Sequence, residues 1–279
     1  MDLSRLGTAL VTRWGAATDA GPVRRRNEDS WLAEPPLYAV ADGMGGHADG
    51  AAASATALHR LAAGMRPGAV AGAGADLVDL DRAIASAAAD VAALADPAFP
   101  LTAPGTTLTG ALALDPPDGP HWLVFNIGDS RVYLMRSGEL RQISVDHSVG
   151  SHSGKGDRPR LTRALGAGLG SPVADQWLIR ARVGDRMLVC TDGLSNAVAR
   201  EQLAAAMVGD DDPQETVQRL LDEALAAGGR DNVSLAVVDC LEVIQVAGGE
   251  LDDVMSLDES EEETVSWNHD DTIPDPEGK

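Results

Sequence analysis

The chain has 279 residues, ample for one substantial domain, and 44% of them are apolar but only 3% aromatic, so a large core must be built from Ala, Val and Leu. The formal charge of −21 argues against a nucleic-acid surface, which needs Lys and Arg to face phosphates. No run reaches the ~18 uncharged apolar residues of a membrane span, and the N-terminus lacks a charged region followed by an apolar signal core, so no membrane anchor is expected.

In chain order, periodicity predicts strands over 8–18, 30–33 and 37–41, then Ala-rich helices over 49–64 and 76–95. Strands follow at 106–114, 121–127, 131–136, 139–143, 175–183 and 186–191, then helices at 200–208 and 213–227 and a final strand at 233–243. Gly64 and Gly228 stand where helix C-terminal caps belong. Strand clusters alternating with helix pairs suggest two face-to-face sheets with helices on both outer faces, although a single-sheet α+β domain fits the periodicity equally well. Cys190 and Cys240 fall in strand-like runs, which favours reduced, buried thiols and a cytoplasmic protein.

The period is lost from Gly248 onward. Residues 249–279 hold 12 Asp and Glu against one Lys, a net of −11 that leaves −10 for residues 1–248. Such a segment cannot bury enough apolar surface to offset its ordering entropy. The expected organisation is a domain over 1–247 and an acidic, disordered tail over 248–279. Thr264 and Thr272 each follow acidic residues there and are candidate phosphorylation sites, with a plain solubilising tail as the preferred reading.

Four carboxylate-centred motifs punctuate the domain: Arg24-Arg25-Arg26-Asn27-Glu28-Asp29, Asp42-Gly43-Met44-Gly45-Gly46-His47, Cys190-Thr191-Asp192-Gly193-Leu194 and Gly228-Gly229-Arg230-Asp231-Asn232. Asn126-Ile127-Gly128-Asp129-Ser130-Arg131 adds a fifth carboxylate. Each Asp stands at the end of an apolar run or beside Gly, where a strand end presents it to solvent. Oxygen donors drawn from distant segments, with positions left to water, suit a hard cation. EF-hand spacing, which a calcium buffer would need, is absent.

The set and order of these motifs resemble the metal-dependent serine/threonine protein phosphatases of type 2C, the PPM family, over roughly residues 10–240, and the match is to members of bacterial type. The resemblance implies an α+β fold, an α-β-β-α four-layer sandwich of two mostly antiparallel sheets flanked by helix pairs. It also implies a pair of Mn²⁺ or Mg²⁺ ions, with a third, weaker one. Asp42 would bridge the pair, the Gly43 carbonyl would bind one of them, and Asp192 and Asp231 would complete the first. Glu28 would hold waters on the second, oriented by Asp29. Asp129 would bind the third metal with Asp192, and Asn232 would fix the loop carrying Asp231. Arg24 stands at the family's phosphate-binding position, and a guanidinium grips two phosphate oxygens at once. Arg25 and Arg26 read as solvated neighbours.

The implied activity is hydrolysis of phosphoserine and phosphothreonine on proteins by a water bridging the two metals, with Arg24, Asp42 and Asp192 central. A catalytically silent phosphoprotein-binding module of the same fold is the alternative. Phosphoproteins and a cognate Ser/Thr kinase are the expected partners, and the protein is expected to be a monomer. No Cys-x5-Arg loop or Gly-x-Ser-x-Gly elbow supplies a side-chain nucleophile.

Animal members place an acid-catalytic histidine directly after the Asp-Gly, where Met44 stands here, and His47 is read as structural. His147, in a motif that closes the strand before the substrate flap, is also read as structural. His59 and His121 read as fillers. Gly105-Thr106-Thr107 and Leu161-Thr162-Arg163-Ala164-Leu165-Gly166 match further family segments, with little function assigned to either. Residues 149–160 contain three glycines and a proline, which predicts a short basic loop in place of a helical flap.

Overall fold

The computed structural model describes residues 10–45, 49–65, 77–96, 98, 103–116, 119–150, 160–169 and 173–244. In chain order the elements are β1 (Leu10–Asp19), β2 (Ser30–Glu34), β3 (Leu37–Ala41), β4 (Gly43–Met44), α1 (Asp49–Gly64), α2 (Leu77–Ala92), β5 (Gly105–Thr106), β6 (Leu108–Leu114), β7 (His121–Ile127), β8 (Arg131–Arg136), β9 (Glu139–Gln142), β10 (Ser148–Val149), β11 (Arg160–Leu161), β12 (Leu165–Gly166), β13 (Asp175–Arg180), β14 (Arg186–Cys190), α3 (Asp192–Ser195), α4 (Arg200–Met207), α5 (Pro213–Ala226) and β15 (Val233–Val243). The acidic tail, His47 and most of the predicted basic loop at 149–160 lie outside the described residues.

Two five-stranded antiparallel sheets carry the fold, one in the order β1-β15-β14-β8-β9 and the other β13-β7-β6-β3-β2. A small third sheet, β12-β5-β4, lies beside Asp42. Strands buried on both faces sort their side chains between two cores by simple alternation. In β3, Leu37, Ala39 and Ala41 pack with α1 and α2, while Tyr38 and Val40 pack between the sheets. In β15, Val233, Leu235 and Val237 pack with α4 and α5, while Ala236, Val238 and Cys240 face the other sheet. The result is three apolar layers between four structural ones, the expected α-β-β-α sandwich. Each fully buried Leu or Phe in these layers contributes ~1.5–3 kcal/mol.

The strand predicted over 106–114 is broken at Thr107 into β5 and β6. The Thr107 N–H leaves the ladder and donates to the Asp42 carbonyl at 2.9 Å, which turns β5 away to pair with β4. α3 was not legible from periodicity, being a single turn that starts at Asp192.

At the end of the sandwich where β14 begins, buried charges are paired. Arg136 forks onto Asp185 (Nε–Oδ1 2.6 Å, Nη2–Oδ2 2.7 Å), which also accepts from the buried Trp122 indole at 3.2 Å. Arg186 forks onto Asp239 (2.6 and 2.9 Å), and Arg13 adds a third bond at 2.8 Å.

The outer edge of β1 is closed by a side chain. Gln214, in the first turn of α5, accepts from Ala16 N–H at 3.0 Å and donates to Ala16 C=O at 3.3 Å, so one amide serves as a one-residue strand. A Cβ at Gly15 would come within 2.5 Å of the Gln214 backbone, so only glycine lets α5 approach this closely.

Candidate functional site

The opposite end of the sandwich collects the loops that carry the acidic motifs. β3 ends at Ala41 just before Asp42, β7 and β8 flank Gly128-Asp129-Ser130, β14 ends just before Thr191-Asp192, and Asp231-Asn232 precede β15. The register Cys190↔Leu235 and Cys190↔Arg131 puts three of these loops side by side in one sheet.

Asp42 is held by its main chain. Its N–H donates to Thr107 Oγ1 at 2.8 Å, and its carbonyl accepts from both Thr107 N–H and Thr106 Oγ1 at 2.9 and 3.0 Å. Thr107 Oγ1 also meets Ser130 Oγ at 2.8 Å, which ties the Asp42 strand end to the Asp129 turn. The sequence marks these threonines as a motif but assigns them little function. After Asp42 comes Gly43, where a Cβ would sit 2.2 Å from Gly50 O and 2.4 Å from Glu28 O. Only glycine lets β4 lie between the start of α1 and the Glu28 segment.

Glu28 carries the next carboxylate. Its N–H donates to Asn232 Oδ1 at 2.9 Å, and its carbonyl accepts from Ser54 Oγ at 2.6 Å and Gly43 N–H at 3.2 Å. A Cβ at Gly50 would lie 3.0 Å from Glu28 Cδ, so the Glu28 carboxyl rests against the first turn of α1, where the helix dipole favours negative charge. Asn232 reaches further than its own loop: its Nδ2 donates to Ala20 O and Arg26 O, both at 2.9 Å, so one amide joins three segments. A Cβ at Gly193 would fall 1.9 Å from Asn232 O, which fixes glycine after Asp192.

Asp29 is buried and accepts from Thr191 Oγ1 at 2.8 Å, while its Oδ1 has no protein partner. Arg24 is half-buried, and its Nη2 donates to Asp231 Oδ2 at 2.5 Å, whereas Arg25 and Arg26 are exposed. Burial works against the Arg24 charge, but the hydrogen bond and charge of Asp231, with Asp42 and Asp192 behind, more than offset it.

The carboxylates share one field. Burial, then the charges of Asp29, Asp192, Asp231 and Asp129, push the Asp42 carboxyl well above the usual range. Burial foremost pushes Asp29 up to about 7, against the pull of the nearby Thr191 and Ser234 hydroxyls and with the push of Asp192 and Asp231. Burial, then Asp192 and Asp146, push Asp129 to about 7. Carboxylates that crowd one another, with the buried Oδ1 of Asp29 lacking a protein partner, fit a set of hard divalent cations, whose ligands are oxygens. Among the described residues no three His, Cys, Asp or Glu side chains stand close enough to hold one metal ion by themselves.

Comparison with known proteins gives a consistent answer. The model of the protein phosphatase 2C family matches residues 24–233. The serine/threonine protein phosphatase PstP of Mycobacterium tuberculosis is 38% identical over 249 residues, which cover 84% of this chain and 46% of that protein. The chain thus spans about half the length of that curated relative. The solved catalytic domain of serine/threonine protein phosphatase PstP in complex with two manganese ions aligns with a TM-score of 0.72 at 36% identity, over 84% of this chain and all of that one. The Ser-Thr phosphatase MsPP from Mycobacterium smegmatis, in complex with cacodylate, aligns with a TM-score of 0.69 at 39% identity, over 81% of this chain and 97% of that one.

Proposed function

Because this chain belongs to the protein phosphatase 2C family, we propose that it hydrolyses phosphoserine and phosphothreonine monoesters on proteins with the help of Mn²⁺ or Mg²⁺. The observation that carries this reading is the group of aspartates at one sandwich edge, mutually repelling and incompletely paired. Asp42, the Gly43 carbonyl, Asp192, Asp231 and Glu28 would hold two cations, and Asp129 with Asp192 a third. When bound, these cations offset charge on the phosphoryl oxygens and lower the pKa of a water to near neutrality.

The chain's own residues do the rest. Thr106 and Thr107 keep the Asp42 main chain still, and Asn232 keeps the Glu28 and Asp231 segments together. Asp29 spans from the Glu28 segment to Thr191, next to Asp192, and so orients the cluster. Arg24, which rests on Asp231, would grip two oxygens of the substrate phosphate once Asp231 is otherwise occupied. Side-chain nucleophilic catalysis by Cys190 is disfavoured: burial pushes its thiol up to about 12, so little thiolate exists at neutral pH.

Phosphoproteins written by an opposing Ser/Thr kinase are the substrate class, and a cytoplasmic monomer is the setting we infer. Two unpaired, buried cysteines support a reducing compartment. Among the described residues no helix is long and apolar enough to cross a membrane. The test is hydrolysis of a phosphothreonine peptide after EDTA treatment, with and without added Mn²⁺. Turnover restored by Mn²⁺ is expected. Peptide binding without turnover at any Mn²⁺ concentration would instead establish the silent binding module.

A further inference from the structure

His147 makes more of its surroundings than a structural filler needs. Its main-chain N–H donates to Gly128 O at 2.8 Å, and its Nδ1 accepts from Gly128 N–H at 3.2 Å, so one residue clasps both polar groups of the position before Asp129. Gly128 has φ of 115° and a Cβ there would strike Thr107 at 2.5 Å, so the turn is wedged against the strand end that carries Asp42. On its other side His147 Nε2 lies 2.9 Å from Asp175 Oδ2, at the start of β13, and 3.2 Å from Arg163 Nη1. Arg163 also donates to Asp175 Oδ1, and the His147 carbonyl accepts from Thr162 N–H at 2.8 Å.

The hydrogen-bond pattern assigns the tautomer. Because Gly128 N–H occupies Nδ1 as an acceptor, the ring proton sits on Nε2 and is donated to Asp175. Burial raises the Asp175 carboxyl, but the bonds from His147 and Arg163 outweigh it and leave the group below its usual range, an ionised acceptor. This is the arrangement by which a carboxylate orients an imidazole.

We propose that His147 is a positioning residue which, oriented by Asp175, clamps the Gly128-Asp129 turn and so sets the affinity of the Asp129 carboxylate for its cation. The proposal rests on the reading of Asp129 as a cation ligand, and the experiment separates the two. Mn²⁺ binding to the full chain is followed by calorimetry and by the Mn²⁺ electron-spin resonance signal, neither of which requires turnover. Asp129→Asn should lose the weakest Mn²⁺ site. His147→Gln keeps a donor for Asp175 but no acceptor for Gly128 N–H, and should weaken that site roughly 10-fold, the lower end of what supporting residues around metals cost. His147→Asn places an amide oxygen near the Nδ1 position and should stay within ~3-fold of wild type on the same scale. The tighter Mn²⁺ sites and KM should be unchanged in both. Asp175→Ala, on a partly exposed edge strand, covers the case in which the His147 variants fail to fold, and should weaken the same site several-fold. Equal weakening in both His147 variants, or no weakening in His147→Gln or Asp175→Ala, overturns the proposal. An Asp129→Asn protein that keeps every Mn²⁺ site removes the ligand reading and this inference with it.

Discussion

At the end of the sandwich where β14 begins, Asp185 and Asp239 are held in arginine forks, whereas at the end where it stops, Asp29, Asp42, Asp129, Asp192 and Asp231 face one another. The same residue type thus does two kinds of work within one strand length. A paired buried carboxylate contributes to the fold only because its partner offsets the cost of desolvation, and removing the partner exposes that cost. Carboxylates that repel one another cost stability instead; Arg24 on Asp231 and Thr191 on Asp29 offset part of that cost, and an incoming cation would offset more. The stability given up at the acidic end is what a cation bound at that same end would recover.

The largest effect should come from breaking the symmetry at each end. Asp192→Ala should abolish Mn²⁺-dependent turnover by more than ~100-fold, since even outlying partners of a metal site cost 10–100-fold. In EDTA the same variant should melt higher, because one repelling charge is gone; a gain on the order of 1 kcal/mol raises Tm by ~2–4 °C in a chain of this size. Asp185→Ala should do the reverse, leaving activity of the folded fraction intact while costing ~3–5 kcal/mol, because Arg136 and the Trp122 indole lose their acceptor. Calorimetric melts of the two variants with and without Mn²⁺ check both halves. Matching changes in stability would dissolve the contrast.

The next effect concerns the arginine at the cleft. Arg24→Ala should weaken phosphate inhibition and raise KM by ~1.5–3 kcal/mol, the scale of hydrogen bonds between charged groups, while exposed Arg25→Ala changes little. Phosphate inhibition constants for the two variants decide it, and equal effects would show that position in the cleft, as opposed to mere positive charge, does not matter.

A smaller effect is visible in pH. An Asp titrates near 3.9 in the unfolded chain, while Asp29 and Asp129 titrate at about 7 in the ion-free fold. Between those values the folded state binds more protons than the unfolded one, so this contribution to stability is complete below pH ~4 and is lost as pH rises to ~7. In EDTA, Tm should therefore fall across that window, and saturating Mn²⁺ should remove the slope. A Tm that rises from pH 4 to 7 in EDTA would contradict the assigned directions.

The smallest effect should follow removal of residues 248–279. They carry a net of −11 from residue 249 onward, and a segment of that composition is expected to contribute little to a fold. Tm and kcat of the truncated chain should match those of the whole within error, and a loss of either would place the tail within the functional unit.

Much of the sandwich was legible because strands buried on both faces read as continuous apolar runs, such as 37–41 and 187–190. For the same reason the side of each residue was not legible: when both faces are dry, alternation leaves no polar trace, and only the structure sorts Tyr38 from Ala39. The positions of Asp42, Asp192 and Asp231 at strand ends could be read from the glycines around them. The grip of Thr107 on Asp42 could not, because a β-branched residue in a β-like run carries no mark that its N–H will leave the ladder. The sequence places Asn232 as a fixture of its own loop, and its bonds to Ala20, Arg26 and Glu28 cross some 200 positions of sequence that no local pattern spans.

The amide of Gln214 on Ala16 bears on how copies of this protein meet one another. A bare outer strand offers alternate N–H and C=O groups to any other strand, and two copies of a chain at cellular concentration supply strands to each other. Here the middle of that ladder is already taken by a side chain belonging to the same molecule, with the bare Cα of Gly15 making room for it. Gln214→Ala should therefore leave the carboxylates of the cleft in place and show its cost as concentration-dependent self-association: a single side-chain amide would act as a guard on the colloidal behaviour of the protein.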